Sequence, residues 1–75
     1  MNSESKMTTQ RIGEAVRTRR KLLGMNQSEL AMVSGTGVRF ISDLENAKES
    51  CELGKTLMVL RNLGIQIAIT TQGGV

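Results

Sequence analysis

The segment of residues 26–47 constrains the fold of this chain more than any other part of its sequence. Two short runs with helical spacing of apolar residues lie on either side of residues 34–37, which read Ser-Gly-Thr-Gly. Glycine supplies the backbone angles that a tight turn requires, and two short helices joined in this way are typical of a helix-turn-helix. An ordinary helical hairpin in a small bundle would have the same spacing.

The first of these helices has a strong start signal. Asn26 can accept a hydrogen bond from the amide of Glu29, and the side chain of Glu29 can reach back to the amide of Asn26. This is the spacing of a capping box. Leu30, Ala31 and Val33 then form the predicted buried face, with the small Ala31 at the place where a second helix would cross.

The second helix is predicted from residue 38 to about residue 46. Its apolar residues recur at three-residue steps, and its opposite face is polar. The apolar set is Val38, Ile41 and Leu44, and the polar set is Arg39, Ser42, Asp43 and Asn46. A helix with an unobstructed polar face directed outward meets the requirement for lying in a DNA major groove.

The rest of the sequence predicts a mainly α-helical domain over residues 8–64, with flexible tails at 1–7 and 72–75. Helical spacing indicates further helices over 8–23 and 53–63, ended by Gly24 and Gly64, with a polar loop over 47–52. Either Thr8 or Thr9 can cap the first helix. The residues that recur at helical steps are Ile12, Ala15, Val16, Arg19, Leu22 and Leu23 in the first helix, and Leu53, Leu57, Leu60 and Leu63 in the last.

The period of the sequence changes after Gly64. Isoleucines at 65, 67 and 69 alternate with small or polar residues, which predicts a β-strand over 65–71. A single strand leaves its backbone groups unsatisfied, and the face of Ile65, Ile67 and Ile69 is too apolar for water. We expect this strand to pair with its copy in a two-fold homodimer. The alternative is a strand folded back on its own helices.

Composition excludes several classes of function. The 75 residues allow one small domain, and no run of about 18 apolar residues is present to span a membrane. The polar N-terminus shows no secretory signal. One cysteine, Cys51, and no histidine argue against disulfides, metal sites and nucleophile–base catalysis. We therefore expect a cytoplasmic protein that is not an enzyme and has no cofactor.

The net charge of +3 is concentrated near the N-terminus. Five basic residues lie in one short segment, opposed only by Glu14: Arg11, Arg17, Arg19, Arg20 and Lys21. Such a run forms either a solvated helix face or a surface directed at nucleic-acid phosphates. The helix-turn-helix beside this run makes contact with the DNA backbone one interpretation, and for Arg17, Arg19 and Lys21 both interpretations stay open.

The motif resembles the phage-repressor-like (Cro/CI, XRE-type) helix-turn-helix family, whose pattern is Gln-x-x-Leu-Ala, then Gly, then Ile-Ser-x-hydrophobic-Glu-Asn-Gly. The matching residues are Gln27, Leu30, Ala31, Gly35 and residues 41–46. The resemblance covers about residues 10–64 and implies a lambda-repressor-like domain of four to five helices that binds double-stranded DNA. Two residues depart from the pattern: Gly37 replaces a capping serine or threonine, and Ala47 replaces a glycine.

The resemblance also implies a role for individual residues. Base-reading positions are Gly37, Val38, Arg39 and Asp43, and backbone positions are Gln27, Ser28, Thr36, Ser42, Asn46 and Lys48, with Arg19 from the first helix. Arg20 and Glu45 match a buried ion pair. Arg39 is the main candidate for base reading because arginine can bind guanine through two hydrogen bonds. The alternative for Arg39 is a surface pair with Asp43, four residues on.

Residues 39–46 and 53–57, with the predicted C-terminal strand, are similar to the HipB-type antitoxins. This likeness implies a dimeric autorepressor that binds a palindromic operator and also a HipA-like kinase toxin. Two alternatives stay open: a stand-alone repressor, or a protein-interaction module that neutralises a kinase with little DNA binding.

Overall fold

The structure, a computed structural model, describes residues 7–71. In this range the protein is mainly α, with the helices α1 (Thr9–Leu22), α2 (Gln27–Ser34), α3 (Val38–Glu45) and α4 (Leu53–Leu63). These are the helices that the spacing predicts, with ends moved by one or two residues. Of the predicted tails over 1–7 and 72–75, residues 1–6 and 72–75 lie outside the described residues. No helix in residues 7–71 has the length and apolar character needed to span a membrane.

Short-range signals set the ends of the first two helices. The Thr8 hydroxyl accepts a hydrogen bond from the Arg11 amide at 3.0 Å. Asn26 Oδ1 accepts from the Glu29 amide and Glu29 Oε1 from the Asn26 amide, both at 2.8 Å, so the capping box is complete. Gly35 then ends α2 in the left-handed conformation, with φ of 70°.

The two departures from the family pattern both affect the ends of α3. Gly37 stands at its N-cap and provides no side-chain hydrogen bond. Ala47, just beyond its C-terminus, has φ of 65°, the left-handed conformation that favours glycine. The helix end is nevertheless closed, because Ala47 N donates to Leu44 O at 3.1 Å and Lys48 N to Asp43 O at 3.0 Å. These two bonds form a Schellman motif.

One core joins all four helices. α1 packs on α3 and α4, and α2 packs on the same two helices. The buried apolar residues are Val16, Leu30, Ala31, Ile41, Leu44, Val59, Leu60 and Leu63. At Gly13, α1 lies directly against the end of α3, since an added Cβ would be 2.6 Å from Leu44 O. A glycine is therefore needed where the two backbones meet.

Several predicted apolar faces are wrong at their edges. α4 buries Thr56 and Val59 next to Leu60 and Leu63, whereas Leu53 and Leu57 are 69% and 50% exposed. The spacing of apolar residues identifies a stripe on a helix but not the side that is buried. α4 has two adjacent stripes, and only the one with Val59, Leu60 and Leu63 faces α1 and α2. Other residues of the predicted apolar faces are exposed as well, namely Ala15, Leu22, Leu23, Val33 and Val38.

The predicted strand is not seen in the single chain. Within residues 7–71 no residue belongs to a β-strand, and residues 65–71 form neither helix nor sheet. Ile65 packs against the core, and its amide donates to Leu60 O at 2.9 Å, as part of the α4 cap. Further along, Ile67 is 36% and Ile69 91% exposed.

Candidate nucleic-acid interface

The helix-turn-helix consists of α2, the turn at 35–37 and α3. The turn is held by backbone hydrogen bonds from Thr36 N to Ala31 O at 2.9 Å and from Gly35 N to Met32 O at 3.3 Å. Ala31 is almost fully buried, and Ile41 and Leu44 of α3 lie in the same core. α3 is therefore anchored by one face, and its remaining face is directed outward.

The outward face of α3 carries the residues predicted to read bases. Gly37, Val38 and Arg39 are exposed at its N-terminal end, and Asp43 is half-buried near its C-terminal end. Asp43 pairs with Lys48, whose Nζ lies 3.5 Å from Oδ2. Arg39 forms no hydrogen bond or ion pair with any described residue. The alternative surface pair of Arg39 with Asp43 is therefore not formed. The donors of the Arg39 guanidinium have no partner among residues 7–71.

The predicted backbone-contacting residues lie at both ends of the motif. Gln27 and Ser28 begin α2, and Asn46 and Lys48 follow the last turn of α3. Two more lie between these ends, Thr36 in the turn and the half-buried Ser42 on α3, and the seventh, Arg19, lies on α1. The Thr36 hydroxyl donates to the carbonyl of the next residue at 3.4 Å.

A buried network around Glu45 fixes α3 to α1. Arg20 Nε donates to Glu45 Oε2 at 2.6 Å and Arg20 Nη2 to Oε1 at 3.0 Å, which makes a bidentate pair. The Arg20 and Glu45 side chains are 9% and 2% exposed. A further donor of Arg20, Nη1, reaches Met25 O at 2.8 Å, just before α2. The pair thus joins α1, the start of α2 and the end of α3.

Both members of this pair are charged. Burial is the largest influence on the pKa of Glu45 and would raise it, but the hydrogen bonds from Arg20 and Gln27, with the charges of Arg20 and Arg17, outweigh burial. The pKa of Glu45 is therefore lowered. The hydrogen bond to Glu45 raises the pKa of Arg20, against an opposing effect of burial.

Gln27 has a second role that sequence reasoning missed. Its Nε2 donates to Glu45 Oε1 at 3.0 Å, across 18 residues of sequence. No local pattern signals such a distant contact. Because an amide nitrogen has two hydrogens, the bond to Glu45 orients the side chain and leaves one hydrogen for an acceptor outside the protein.

Arg19 lies at a different junction. Its Nε donates to Leu63 O at 2.8 Å, so the side chain is directed at the C-terminal end of α4. One N–H group of Arg19 is thus bonded inside the protein, and its contact with the DNA backbone stays a prediction. Cys51 lies half-buried in the loop before α4, where burial and the charge of Asp43 raise the pKa of its thiol.

Comparison with known proteins identifies the family. Residues 16–51 match the helix-turn-helix family HTH_3. A protein of Sinorhizobium fredii (strain NBRC 101917 / NGR234), an uncharacterized HTH-type transcriptional regulator named y4mF, is 48% identical over 62 residues, which cover 83% of this chain and 82% of that protein. The chain belongs to the XRE-type helix-turn-helix family of transcriptional regulators. Membership of this family places the protein among regulators and not among enzymes.

Solved structures share the fold of this helix-turn-helix regulator. Chains from a HipA-HipB-O2-O3 complex and from a HipB-O4 20mer complex each superpose with a TM-score of 0.78. Each is 23% identical to this chain, and the match covers 92% of this chain and 97% of the other. The likeness extends over the whole helical domain.

Proposed function

We propose that this helix-turn-helix regulator is a sequence-specific transcriptional repressor that binds a palindromic operator. The observation that carries the proposal is the placement of Arg39. It lies exposed on the outward face of α3 without a partner among residues 7–71, whereas the opposite face of α3 is fixed by the core and by Glu45. An α-helix presented in this way fits the major groove.

The base contacts differ in what they can contribute. Gly37 has no side chain and Val38 offers only apolar contact, so hydrogen-bonded reading depends on Arg39 and Asp43. Arg39 would bind guanine through O6 and N7. Asp43 would accept from a cytosine amino group, its charge being offset by Lys48 at 3.5 Å. Arg39 is therefore the main determinant of sequence preference.

Contacts with phosphates would hold α3 in register on the duplex. The second amide hydrogen of Gln27 serves this purpose at the start of α2, with the side chain already oriented by Glu45. The remaining contacts would come from Ser28, Thr36, Ser42, Asn46, Lys48 and Arg19. These contacts make the affinity fall steeply with salt.

The repressor would act as a homodimer joined through residues 65–71. Support comes from Ile69, which is 91% exposed, and from Ile67, which lines one groove together with the half-exposed Leu57 of α4. Pairing of this segment with its copy as a β-strand would satisfy its backbone groups and cover these side chains. Two recognition helices related by a two-fold axis match a palindromic site.

A more specific role is that of an antitoxin and autorepressor in a HipA-type toxin–antitoxin operon. The likeness in fold to chains of the HipA-HipB-O2-O3 complex favours it, together with the similarity of residues 39–46 to the HipB-type antitoxins. The test is co-purification with a HipA-like kinase. A stand-alone repressor would bind DNA and no kinase, and an interaction module would bind the kinase and little DNA.

The reading of bases by Arg39 is tested by Arg39→Ala on a duplex selected from a random-sequence library. We expect the substitution to remove roughly 1–3 kcal/mol of discrimination at one base pair in each half-site, measured by fluorescence anisotropy with base-substituted duplexes. Gln27→Ala is the matched comparison and should weaken binding to all duplexes alike. Unchanged base preference in the Arg39 variant would refute the proposed reading.

A further inference from the structure

Three residues of α1 form the stripe that faces α3. Gly13, Arg17 and Arg20 are separated by four and three residues, which puts them on one side of the helix. Gly13 lies against the carbonyls of Leu44 and Glu45, and Arg20 is paired with the Glu45 carboxylate. Arg17 therefore lies one turn from each, beside the C-terminal end of α3.

Arg17 and Arg19 point to opposite sides of α1. Two residues are about 200° apart around an α-helix. Since Arg19 is bonded to Leu63 at the end of α4, Arg17 lies on the flank of α1 that is directed away from α4. The first helix thus has one arginine on its α4 side and another on its far side, next to the helix-turn-helix.

The Arg17 guanidinium is exposed and has no bonded partner among residues 7–71. Its charge reaches Glu45, whose pKa it helps to lower. The carboxylate is nevertheless fully used, because Oε2 accepts from Arg20 and Oε1 accepts from Arg20 and Gln27. The donors of Arg17 are left for a group outside the protein.

We propose that Arg17 binds a DNA phosphate next to the site read by α3, working together with Gln27. This inference rests on the proposed DNA binding. Gln27 donates to Glu45 from the start of α2, and Arg17 lies on the side of α1 that carries Gly13 and Arg20, both of which contact the end of α3. A guanidinium presents donors in a planar fork that matches the oxygens of a phosphate.

The test is a salt titration of binding to the selected duplex and to an unrelated duplex, followed by fluorescence anisotropy. For Arg17→Gln we expect the slope of log K against log salt to become shallower by about 0.9 on both duplexes, the value for one lost phosphate contact. Between 50 and 200 mM salt, the affinity of the variant should therefore fall by a factor roughly three times smaller than the factor for the wild type. Arg17→Lys, which keeps the charge, should retain the original slope.

The matched control is Lys55→Gln, which makes the same change in net charge at an exposed residue in the first turn of α4. It should leave the slope unchanged. Thermal unfolding of each variant checks that the fold is intact, and Arg17→Met, which keeps the aliphatic stem, replaces Arg17→Gln if that variant does not fold. A wild-type slope in the neutral Arg17 variants would overturn this assignment alone. Absence of salt-dependent binding by the unchanged chain would overturn the proposed function as well.

Discussion

Gly13 is the residue on which the packing of α1 against α3 depends most directly. A Cβ at this position would lie 2.6 Å from Leu44 O and 2.9 Å from Glu45 O, and both atoms belong to the backbone. Backbone atoms at a helix end held by Arg20 have little freedom to move. The sequence shows Gly13 only as a glycine inside a helical pattern, because the close approach depends on a helix about thirty residues away.

We expect Gly13→Ala to lower the free energy of unfolding by about 1–3 kcal/mol, the usual range for overpacking. This loss would occur although alanine favours a helix over glycine by about 1 kcal/mol. Urea denaturation measures the effect. The matched control is Gly54→Ala in α4, where the nearest atom is a side-chain oxygen at 3.8 Å, and the change should be neutral or stabilising. Equal effects of the two substitutions would show that α1 and α3 have room for a methyl group.

Ala47 stores backbone strain at the end of α3. Its φ of 65° is unfavourable for any residue with a Cβ, so Ala47→Gly should raise the free energy of unfolding by roughly 1 kcal/mol. Ala15→Gly, in the exposed part of α1, is the opposite control and should lower it by about 1 kcal/mol. Chemical denaturation of both variants gives the comparison. Destabilisation by both glycines would contradict the strain at Ala47.

At the scale of helices, the sequence predicts where the helices begin and end, but it predicts only part of each buried face. The capping box of α2 and the glycines that end α1 and α4 depend on residues within a few positions of each other, and the sequence predicts them. The buried stripe of α4 depends on which side meets α1 and α2. The prediction that Leu53 and Leu57 belong to the buried face is wrong for that reason.

The junction between α1 and α3 should make stability depend on pH. In the folded state the pKa of Glu45 lies below its usual value of about 4.5. A lowered pKa means that the ionised pair stabilises the fold fully above that usual value, and that this contribution is lost as the pH falls through the lowered pKa. Glu45→Gln also leaves the buried charge of Arg20 unpaired, which costs about 3–5 kcal/mol.

We therefore expect the difference in unfolding free energy between the wild type and Glu45→Gln to be constant from pH 7 to pH 5 and to shrink below about pH 4.5. Urea denaturation at a series of pH values measures it. Glu52→Gln removes the partner of an exposed ion pair with Lys55 and should change stability by less than about 1 kcal/mol at any of these pH values. A difference for Glu45→Gln that persists at low pH would contradict the role of the charge.

For the whole molecule, the single chain shows the helical domain but not the assembly. The helix-turn-helix was identifiable from about twenty residues, because its turn and its buried residues are close in sequence. The predicted pairing of residues 65–71 involves a second copy, so neither periodicity nor the packing of one chain tests it. The exposed isoleucines at 67 and 69 are what the dimer would have to cover.

The dimer is tested by Ile69→Lys. A charge on the predicted strand should convert a dimer into a monomer in sedimentation equilibrium and weaken binding to the selected duplex, since each half-site then binds alone. Leu22→Lys, at a residue of α1 that is 73% exposed, should leave the mass unchanged. A wild-type chain that sediments as a monomer at all concentrations, or an Ile69 variant that remains dimeric, would rule out pairing through this segment.

The most direct test of sequence-specific binding by paired recognition helices is selection of duplexes by the wild-type protein from a random library. Two copies of α3 related by a two-fold axis should enrich a palindrome whose half-site centres are about 34–36 Å apart, one turn of the double helix. Recovery of such a site, with one conserved guanine in each half for Arg39, is the expected result. Absence of enrichment, or a recovered site without two-fold symmetry, would contradict the account.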